Sequence, residues 1–204
     1  YGDVYVYGFE HIKRQGGGGN HPSMAQQDEM AKELAAYLDV AFCDVYVDKT
    51  NGSDSNSGSE AMPVKTLARA AQLAGDEDKI KVVGTYTVEE TERIGISGKA
   101  ITIEGANSDS NLSVTTMVFG GDTTIDNIKV NFAGSITHGT ETASALVYAQ
   151  YNDVTFGSGI TTTSTAGTVG AYAYGGMYDN GSWSDTHLTI NGGTWYRVFG
   201  NSDK

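Results

Sequence analysis

The residue of this sequence best suited to acid–base chemistry is His21. It follows a short apolar run, Val4 to Tyr7, and a glycine-rich loop, and an amphipathic segment comes directly after it. An imidazole group can accept or release a proton near neutral pH, so a histidine at this place could act as a base or an acid. The structural alternative is that His21 only marks the start of a helix, before a proline at its first position.

A second group of acid–base residues lies towards the C-terminal end of the sequence. Asp179, Asp185 and His187 are close together and could act as a general acid and a general base. Polar residues in a glycine-rich loop more often form turns, and that interpretation is favoured here.

Aromatic side chains between Gly170 and Trp195 could bind a sugar. Flat aromatic rings offer an apolar surface on which neutral sugar rings stack. The alternative is an aromatic loop that packs against the wall of the fold. The predicted glycan-binding residues are Tyr172, Tyr174, Tyr178, Trp183 and Trp195.

A group of oxygen-bearing side chains near residue 50 could bind calcium. It comprises Asp48, Asp54, Asn56 and Glu60, whose spacing does not fit an EF-hand, so a solvated turn is favoured. The single cysteine, Cys43, excludes an internal disulfide and a cysteine-based zinc site, and we interpret it as a small buried apolar residue. The sequence therefore predicts no cofactor, with calcium as the alternative.

The composition excludes several classes of partner. The 204 residues have a formal net charge of -12, whereas nucleic acids and anionic membranes require clustered Lys and Arg. No apolar run approaches the roughly 18 residues of a membrane-spanning helix, so membrane insertion is not expected. The first residues, Tyr1 to Tyr7, lack the pattern of a signal peptide, so the leader of a secreted protein would lie outside this chain.

The pattern of residue types divides the chain into a helical part and a strand-rich part. Helix signals occur only before Gly75, and they predict helices over about 23–39 and 66–74. Later segments are short β-branched runs separated by Gly, Asn, Asp and Ser.

A degenerate repeat runs through the strand-rich part. Segments 101–103, 127–130 and 152–156 recur about every 25 residues, and segment 187–191 follows after about 35. Repeats of this length indicate a solenoid, and a coil of this size fits one turn of a parallel β-helix. Asn127 and Asn152 are predicted to occupy equivalent corners. An antiparallel sandwich is the alternative.

Residues 44–105 carry an ordered set of motifs. These are Asp44-Val45-Tyr46-Val47-Asp48, Asn51-Gly52-Ser53-Asp54-Ser55-Asn56-Ser57-Gly58-Ser59, Pro63-Val64-Lys65-Thr66-Leu67-Ala68-Arg69-Ala70, Val83-Gly84-Thr85-Tyr86 and Ile101-Thr102-Ile103-Glu104-Gly105. The set resembles the beginning of right-handed parallel β-helix proteins of the pectin-lyase-like superfamily. The resemblance implies a mainly β fold over 44–204 with an N-terminal capping helix. The active-site patterns of the superfamily's galacturonan hydrolases are not present, and Thr137-His138-Gly139 matches only partly.

Residues 1–43 resemble a different family. His21-Pro22-Ser23-Met24-Ala25 and Met30-Ala31-Lys32-Glu33-Leu34-Ala35-Ala36-Tyr37-Leu38 are similar to the last motif and closing helix of SGNH or GDSL hydrolases, especially carbohydrate esterases. The resemblance implies that this segment is the end of an α/β hydrolase domain and that His21 is its catalytic base. The family often has Asp three residues earlier, where this chain has Gly18, and the nucleophilic serine is not in this chain.

Together, these patterns predict a piece of an extracellular or cell-surface bacterial protein that acts on or binds carbohydrate. The β-helix would bind or display a polysaccharide or other glycan, and the esterase chemistry would belong to the module that ends at residue 43. The alternatives are a polysaccharide lyase or glycoside hydrolase of the pectin-lyase-like superfamily, and a non-catalytic adhesin or stalk. The sequence does not predict the oligomeric state.

Overall fold

The computed structural model describes residues 24–41, 44–138, 140–176 and 187–200. The chain divides into two compact units, residues 1–43 and 44–204. His21, Cys43, Tyr178, Asp179, Trp183 and Asp185 lie outside the described residues.

The described part of the first unit is one helix. Helix α1 spans Met24–Ala41, close to the predicted range. Its sequence is rich in Ala, Leu, Met, Glu and Gln, which have high helix propensity. Lys32 Nζ and Asp28 Oδ2, one helical turn apart, lie 3.7 Å from each other.

The second unit consists of short strands and one helix. The helix α2 spans Leu67–Leu73. The strands are β1 Val45–Val47, β2 Lys79–Val82, β3 Thr85–Thr87, β4 Arg93–Ile94, β5 Ala100–Gly105, β6 Asn111–Val114, β7 Thr116–Phe119, β8 Asp122–Ile125, β9 Lys129–Phe132, β10 Ile136–His138, β11 Glu141–Ala143, β12 Ala145–Tyr148, β13 Asp153–Phe156, β14 Thr161–Ser164, β15 Ala171–Tyr174, β16 His187–Ile190 and β17 Arg197–Phe199.

These strands form three parallel sheets and one antiparallel hairpin. The six-stranded sheet has the order β1-β2-β5-β8-β13-β16, the five-stranded sheet β17-β15-β12-β7-β4, and the four-stranded sheet β14-β9-β6-β3. Strands β10 and β11 form the hairpin. From β2 onwards, and apart from the hairpin, successive strands along the chain pass from one sheet to another, and each pairs with a strand of a neighbouring coil. The unit is therefore a parallel β-helix, and the antiparallel sandwich is wrong.

The core is formed by side chains that stack from coil to coil. Ile80, Ile103, Ile125 and Phe156 occupy matching positions on successive strands of the six-stranded sheet, and all four are fully buried. Because side chains alternate between the two faces of a strand, the residues next to these core positions along each strand point outwards. Burial of these apolar rows is the main favourable contribution to folding.

The predicted repeat contains one wrong member. Segment 127–130 contributes to β9 of the four-stranded sheet, whereas the strand between β5 and β13 in the six-stranded sheet is β8, Asp122–Ile125. Each coil contributes strands to three sheets, and these strands have similar alternating compositions. A pattern search can therefore match strands of different sheets.

The predicted equivalence of Asn127 and Asn152 is also wrong. Asn127 has a positive φ of 48° and lies between the six-stranded and four-stranded sheets, whereas Asn152 directly precedes β13. The amide group of Asn152 donates to the carbonyl oxygens of Phe119 (3.2 Å), Ala149 (2.8 Å) and Gln150 (2.7 Å). Its contact with the neighbouring coil is therefore made to backbone and not to a second asparagine.

Helix α2 is fastened to the first coils at both ends. The backbone amide of Leu67 donates to the Tyr86 hydroxyl group at 2.9 Å, and Thr66 Oγ1 accepts from the Arg69 amide at 3.1 Å. At the C-terminal end, Lys99 Nζ donates to the carbonyl oxygens of Ala71 (3.2 Å) and Ala74 (2.5 Å). The helix contacts β1 and β4. Its predicted role as an end cap stays a prediction.

Candidate functional site

The outer face of the six-stranded sheet carries a row of hydroxyl groups. Thr102, Thr124, Thr155 and Thr189 occupy matching positions on β5, β8, β13 and β16. Each of them stands between two core-facing residues of its own strand, so the alternation of side chains directs it away from the core. We call these four residues the threonine row.

Two carboxylates and a histidine lie two residues before the threonine row. Asp122, Asp153 and His187 begin the strands β8, β13 and β16. The Asp153 amide donates to Asp122 Oδ1 at 2.9 Å, and His187 Nδ1 lies 2.8 Å from Asp153 Oδ1. All three side chains are exposed, so this arrangement presents acid and base groups to solvent.

A groove of about 290 Å³ runs over this face. Its lining combines hydroxyl groups, carboxylates and a few apolar atoms, and it contains no Lys or Arg among the described residues. The lining residues are Glu77, Ala100, Ile101, Thr102, Asp122, Thr123, Thr124, Asp153 and Thr155. Glu77 has a positive φ of 65°, and its amide donates to the Ala100 carbonyl oxygen at 2.7 Å, which holds this corner against β5.

An ion-pair network lies on the same face, next to the threonine row. The Glu104 carboxylate accepts hydrogen bonds from Lys79 Nζ (3.1 Å) and Lys81 Nζ (2.6 Å). Burial raises the pKa of Glu104, but the hydrogen bonds from Lys81 and Lys79 outweigh it and hold the pKa below its usual value. Both lysines are therefore engaged with Glu104.

The structure buries two of the predicted sugar-binding aromatics. Tyr172 and Tyr174 are each about 1% exposed, although they alternate along β15 with the core residues Ala171 and Ala173 and so point away from the core. The Tyr174 ring is stacked on Tyr148 and on Phe199, with centroids 5.0 Å apart in both cases. In this arrangement neither Tyr172 nor Tyr174 exposes a ring face to solvent, and sugar binding by these two residues stays a prediction.

Tyr172 also belongs to a polar cluster centred on Glu141. The hydroxyl groups of Tyr172 and Tyr196 donate to the Glu141 carboxylate, the latter at 2.6 Å, and Arg197 Nη2 lies 3.5 Å from it. Burial and the hydrogen bond to Glu141 raise the pKa of Tyr172 to about 12. This cluster joins the hairpin to β15 and β17.

Trp195 is half-buried at the edge of the core. Its ring contacts Phe156 and Phe132, with centroid distances of 4.6 and 5.2 Å, and its Nε1 donates to the Gly192 carbonyl oxygen at 3.0 Å. Sugar binding by Trp195, and by Tyr178 and Trp183 outside the described residues, stays a prediction. The same holds for His21 and the esterase module.

The oxygen-bearing side chains near residue 50, for which calcium binding is the alternative to a turn, hold the turn before α2 together. Asp48 Oδ1 accepts from the amides of Thr50 and Asn51 at 2.9 Å, and Asp54 Oδ1 accepts from the Thr66 amide at 2.9 Å. Asn56 Nδ2 donates to the Pro63 carbonyl oxygen at 2.9 Å. In the described part of the chain, no group of three or more His, Cys, Asp or Glu residues is placed to hold a metal ion. None of the described helices is long and apolar enough to cross a membrane.

Sequence reasoning missed Asp122 and Asp153 as site residues. A signal for Asp153 was available, because Asp153-Val154-Thr155-Phe156 and His187-Leu188-Thr189-Ile190 share the order polar, apolar, Thr, apolar. Aligning these two segments residue for residue places His187 beside Asp153, as the structure does. The partners first proposed for His187, Asp179 and Asp185, lie outside the described residues.

Comparison with known proteins gives one family and one structure. No curated protein matches the chain. A rhamnogalacturonan lyase of known structure is similar at 16% identity, with a TM-score of 0.45, over 76% of this chain and 49% of that one. The chain thus spans about half the length of that lyase. A family model, described as a protein of unknown function (DUF1565), matches residues 50–175. Since this match covers more than half of the residues, and includes most of the coils described above, the chain belongs to the DUF1565 family.

Proposed function

We propose that residues 44–204 bind a glycan chain in the groove on the outer face of the six-stranded sheet, as part of an extracellular or cell-surface protein. The observation that carries this proposal is the groove itself, whose hydroxyl and carboxylate groups are aligned from strand to strand. Sugars offer many hydroxyl groups, which act as both donors and acceptors, and this lining can pair with both.

The geometry of the sheet favours a repeating ligand. Neighbouring strands lie about 4.8 Å apart, so a chain lying across them meets a threonine at each strand. Thr102, Thr124 and Thr155 lie on three consecutive strands and are half-buried, which limits the freedom of their hydroxyl groups. Fixed groups lose less conformational entropy on binding than mobile ones.

Removal of these hydroxyl groups is expected to weaken glycan binding. The triple variant Thr102→Val, Thr124→Val and Thr155→Val keeps the side-chain shape and suits a strand, but it removes three hydrogen-bonding groups. With about 0.5–1.5 kcal/mol for each lost hydrogen bond, affinity should fall by about tenfold or more. Ligands would be identified on a glycan array, and the dissociation constants then measured by titration calorimetry.

The double variant Thr161→Val and Thr163→Val is the control for the same type of substitution outside the groove. Both threonines are exposed on β14 of the four-stranded sheet, away from the groove lining. This variant should bind the glycan as the unchanged chain does. Equal weakening in the two variants would show that the groove is not the binding surface, and a chain that binds no glycan would favour the stalk alternative.

The pair formed by Asp153 and His187 favours glycan cleavage as a second candidate function. The hydrogen bond of 2.8 Å orients the imidazole ring, and Asp122 supplies another carboxylate on the adjacent strand. In this role the pair would transfer a proton to or from a sugar bound in the groove.

Replacement of His187 by asparagine separates cleavage from binding. General acid–base catalysis increases the rate of a reaction by about 100-fold or more. The rate at which cleavage products form should therefore fall by at least about 100-fold in this variant. Binding should change much less, because the variant keeps Asp153 and the threonines that line the groove. The rate would be followed through new reducing or unsaturated sugar ends. An unchanged rate, or no product from any bound glycan, would exclude this candidate and leave binding as the function.

A further inference from the structure

We infer that the groove selects a glycan that carries free amino groups and rejects polyuronates. This inference rests on the proposed function, since it concerns the ligand of the same groove. It starts from the charges of the lining, which are all negative: Glu77, Asp122 and Asp153. A bound uronate would place its carboxylates next to these three, and like charges at short distance repel.

The basic groups near the groove are already paired. Lys79 Nζ lies 3.1 Å from a Glu104 oxygen, and His187 Nδ1 lies 2.8 Å from Asp153 Oδ1. Lys81 binds Glu104 at 2.6 Å and Asp44 at 3.6 Å. The charges of these groups are therefore already partly balanced by Glu104, Asp44 and Asp153, which weakens their attraction for a uronate.

The carboxylates, in contrast, retain capacity to accept hydrogen bonds. Asp122 uses Oδ1 for the Asp153 amide, and Asp153 uses Oδ1 for His187. The Oδ2 atom of each has no hydrogen bond to a described residue. A protonated amine donates up to three hydrogen bonds, and those to a carboxylate are stronger than hydrogen bonds between neutral groups. An amino sugar lying over β8 and β13 would therefore satisfy both aspartates, whereas an N-acetylated sugar offers only a neutral amide.

Three oligosaccharides of equal length separate these cases. They are a glucosamine oligomer, its N-acetylated counterpart with the same linkage, and an oligogalacturonate. Binding to the 204-residue chain would be measured by calorimetry at about pH 6, where the amine is protonated, in about 0.01 M and about 0.15 M salt. Between these salts the Debye length falls from about 30 to about 8 Å, so a charge-dependent preference should decrease.

Two variants with the same change of charge test whether the amino sugar binds in the groove. Asp122→Asn with Asp153→Asn removes two groove charges and keeps an oxygen that can accept the Asp153 amide. Glu60→Gln with Glu90→Gln removes the same charge from exposed positions outside the lining. The groove variant should bind the glucosamine oligomer about tenfold more weakly, and the control variant by less than twofold.

The outcomes distinguish the two proposals. Tighter binding of the glucosamine oligomer, lost only in the groove variant, supports the inference. Preference for the oligogalacturonate, equal loss in both variants, or binding of the N-acetylated oligomer with no amino preference overturns it. The last result leaves glycan binding in the groove intact, whereas no binding of any oligosaccharide contradicts both. Thermal unfolding of each variant checks that the fold is retained.

Discussion

Replacement of Phe156 by alanine is expected to lower the free energy of unfolding by about 3–5 kcal/mol. The Phe156 ring is fully buried on β13, in register with Ile125 on one side and Ile190 on the other. It also contacts Phe119 of the five-stranded sheet edge-on, with centroids 6.1 Å apart. Alanine would leave a cavity between coils that these stacked strands cannot easily close.

Denaturant titration measures this loss, provided that the dependence of unfolding free energy on denaturant concentration is unchanged. Val198→Ala is the control, because Val198 is 53% exposed and should change stability by no more than about 0.5 kcal/mol. A loss below about 1 kcal/mol for Phe156→Ala would mean that the core does not have the close packing described.

Replacement of Gly121 by alanine should affect both stability and the site. A Cβ atom at Gly121 would lie 2.2 Å from the carbonyl oxygen of Ile96 on the neighbouring coil. This neighbour is backbone and cannot rotate away, so the coils must separate locally, with a cost of about 1–3 kcal/mol or more. Asp122 follows directly and lines the groove, and the Gly121 carbonyl oxygen accepts a hydrogen bond of 2.9 Å from Thr123. The melting temperature and the glycan affinity should therefore fall together.

Gly98→Ala separates crowding from backbone strain. Gly98 has a φ of 82°, but nothing lies within 4 Å of the position of its added Cβ atom. This change should cost roughly 1–2 kcal/mol through backbone conformation alone and leave the glycan affinity unchanged. If the two glycine variants have the same effects on melting temperature and affinity, close packing at Gly121 is not important for the site.

The sequence predicted the architecture well because its signals are local. Alternation of apolar and polar residues gives the strands, and the turn residues between them give the coils. The pattern around Pro63 and Gly75 predicted α2 within one residue at each end, since Thr66 and Ala74 are its caps. The parallel β-helix is confirmed by the sheets.

The candidate site was harder to predict because it depends on register between coils. Asp122 and Asp153 are about 30 residues apart, and only the pairing of β8 with β13 brings them together. The unequal spacing of the coils obscured this pairing: Thr123 follows Ile101 by 22 residues, and Val154 follows Thr123 by 31.

The buried tyrosines show a different difficulty. Alternation in β15 correctly implies that Tyr172 and Tyr174 point away from the core, yet both are buried. Their surroundings include Tyr148 and Phe199 from neighbouring coils and, for Tyr172, Glu141 from the hairpin. Whether a second layer covers an outward face is a property of distant segments, which the strand pattern does not contain.

The connection of helix α2 to the first coils has a consequence for the order of folding during synthesis. The contacts of Leu67 with Tyr86 and of Ala74 with Lys99 join residues that are at most 25 apart, so they can form as soon as the segment up to Lys99 has left the ribosome. Each later coil adds strands to edges that the preceding coil already presents. The chain can therefore fold from its N-terminal side while it is being translated, with the first coil and its helix as the template.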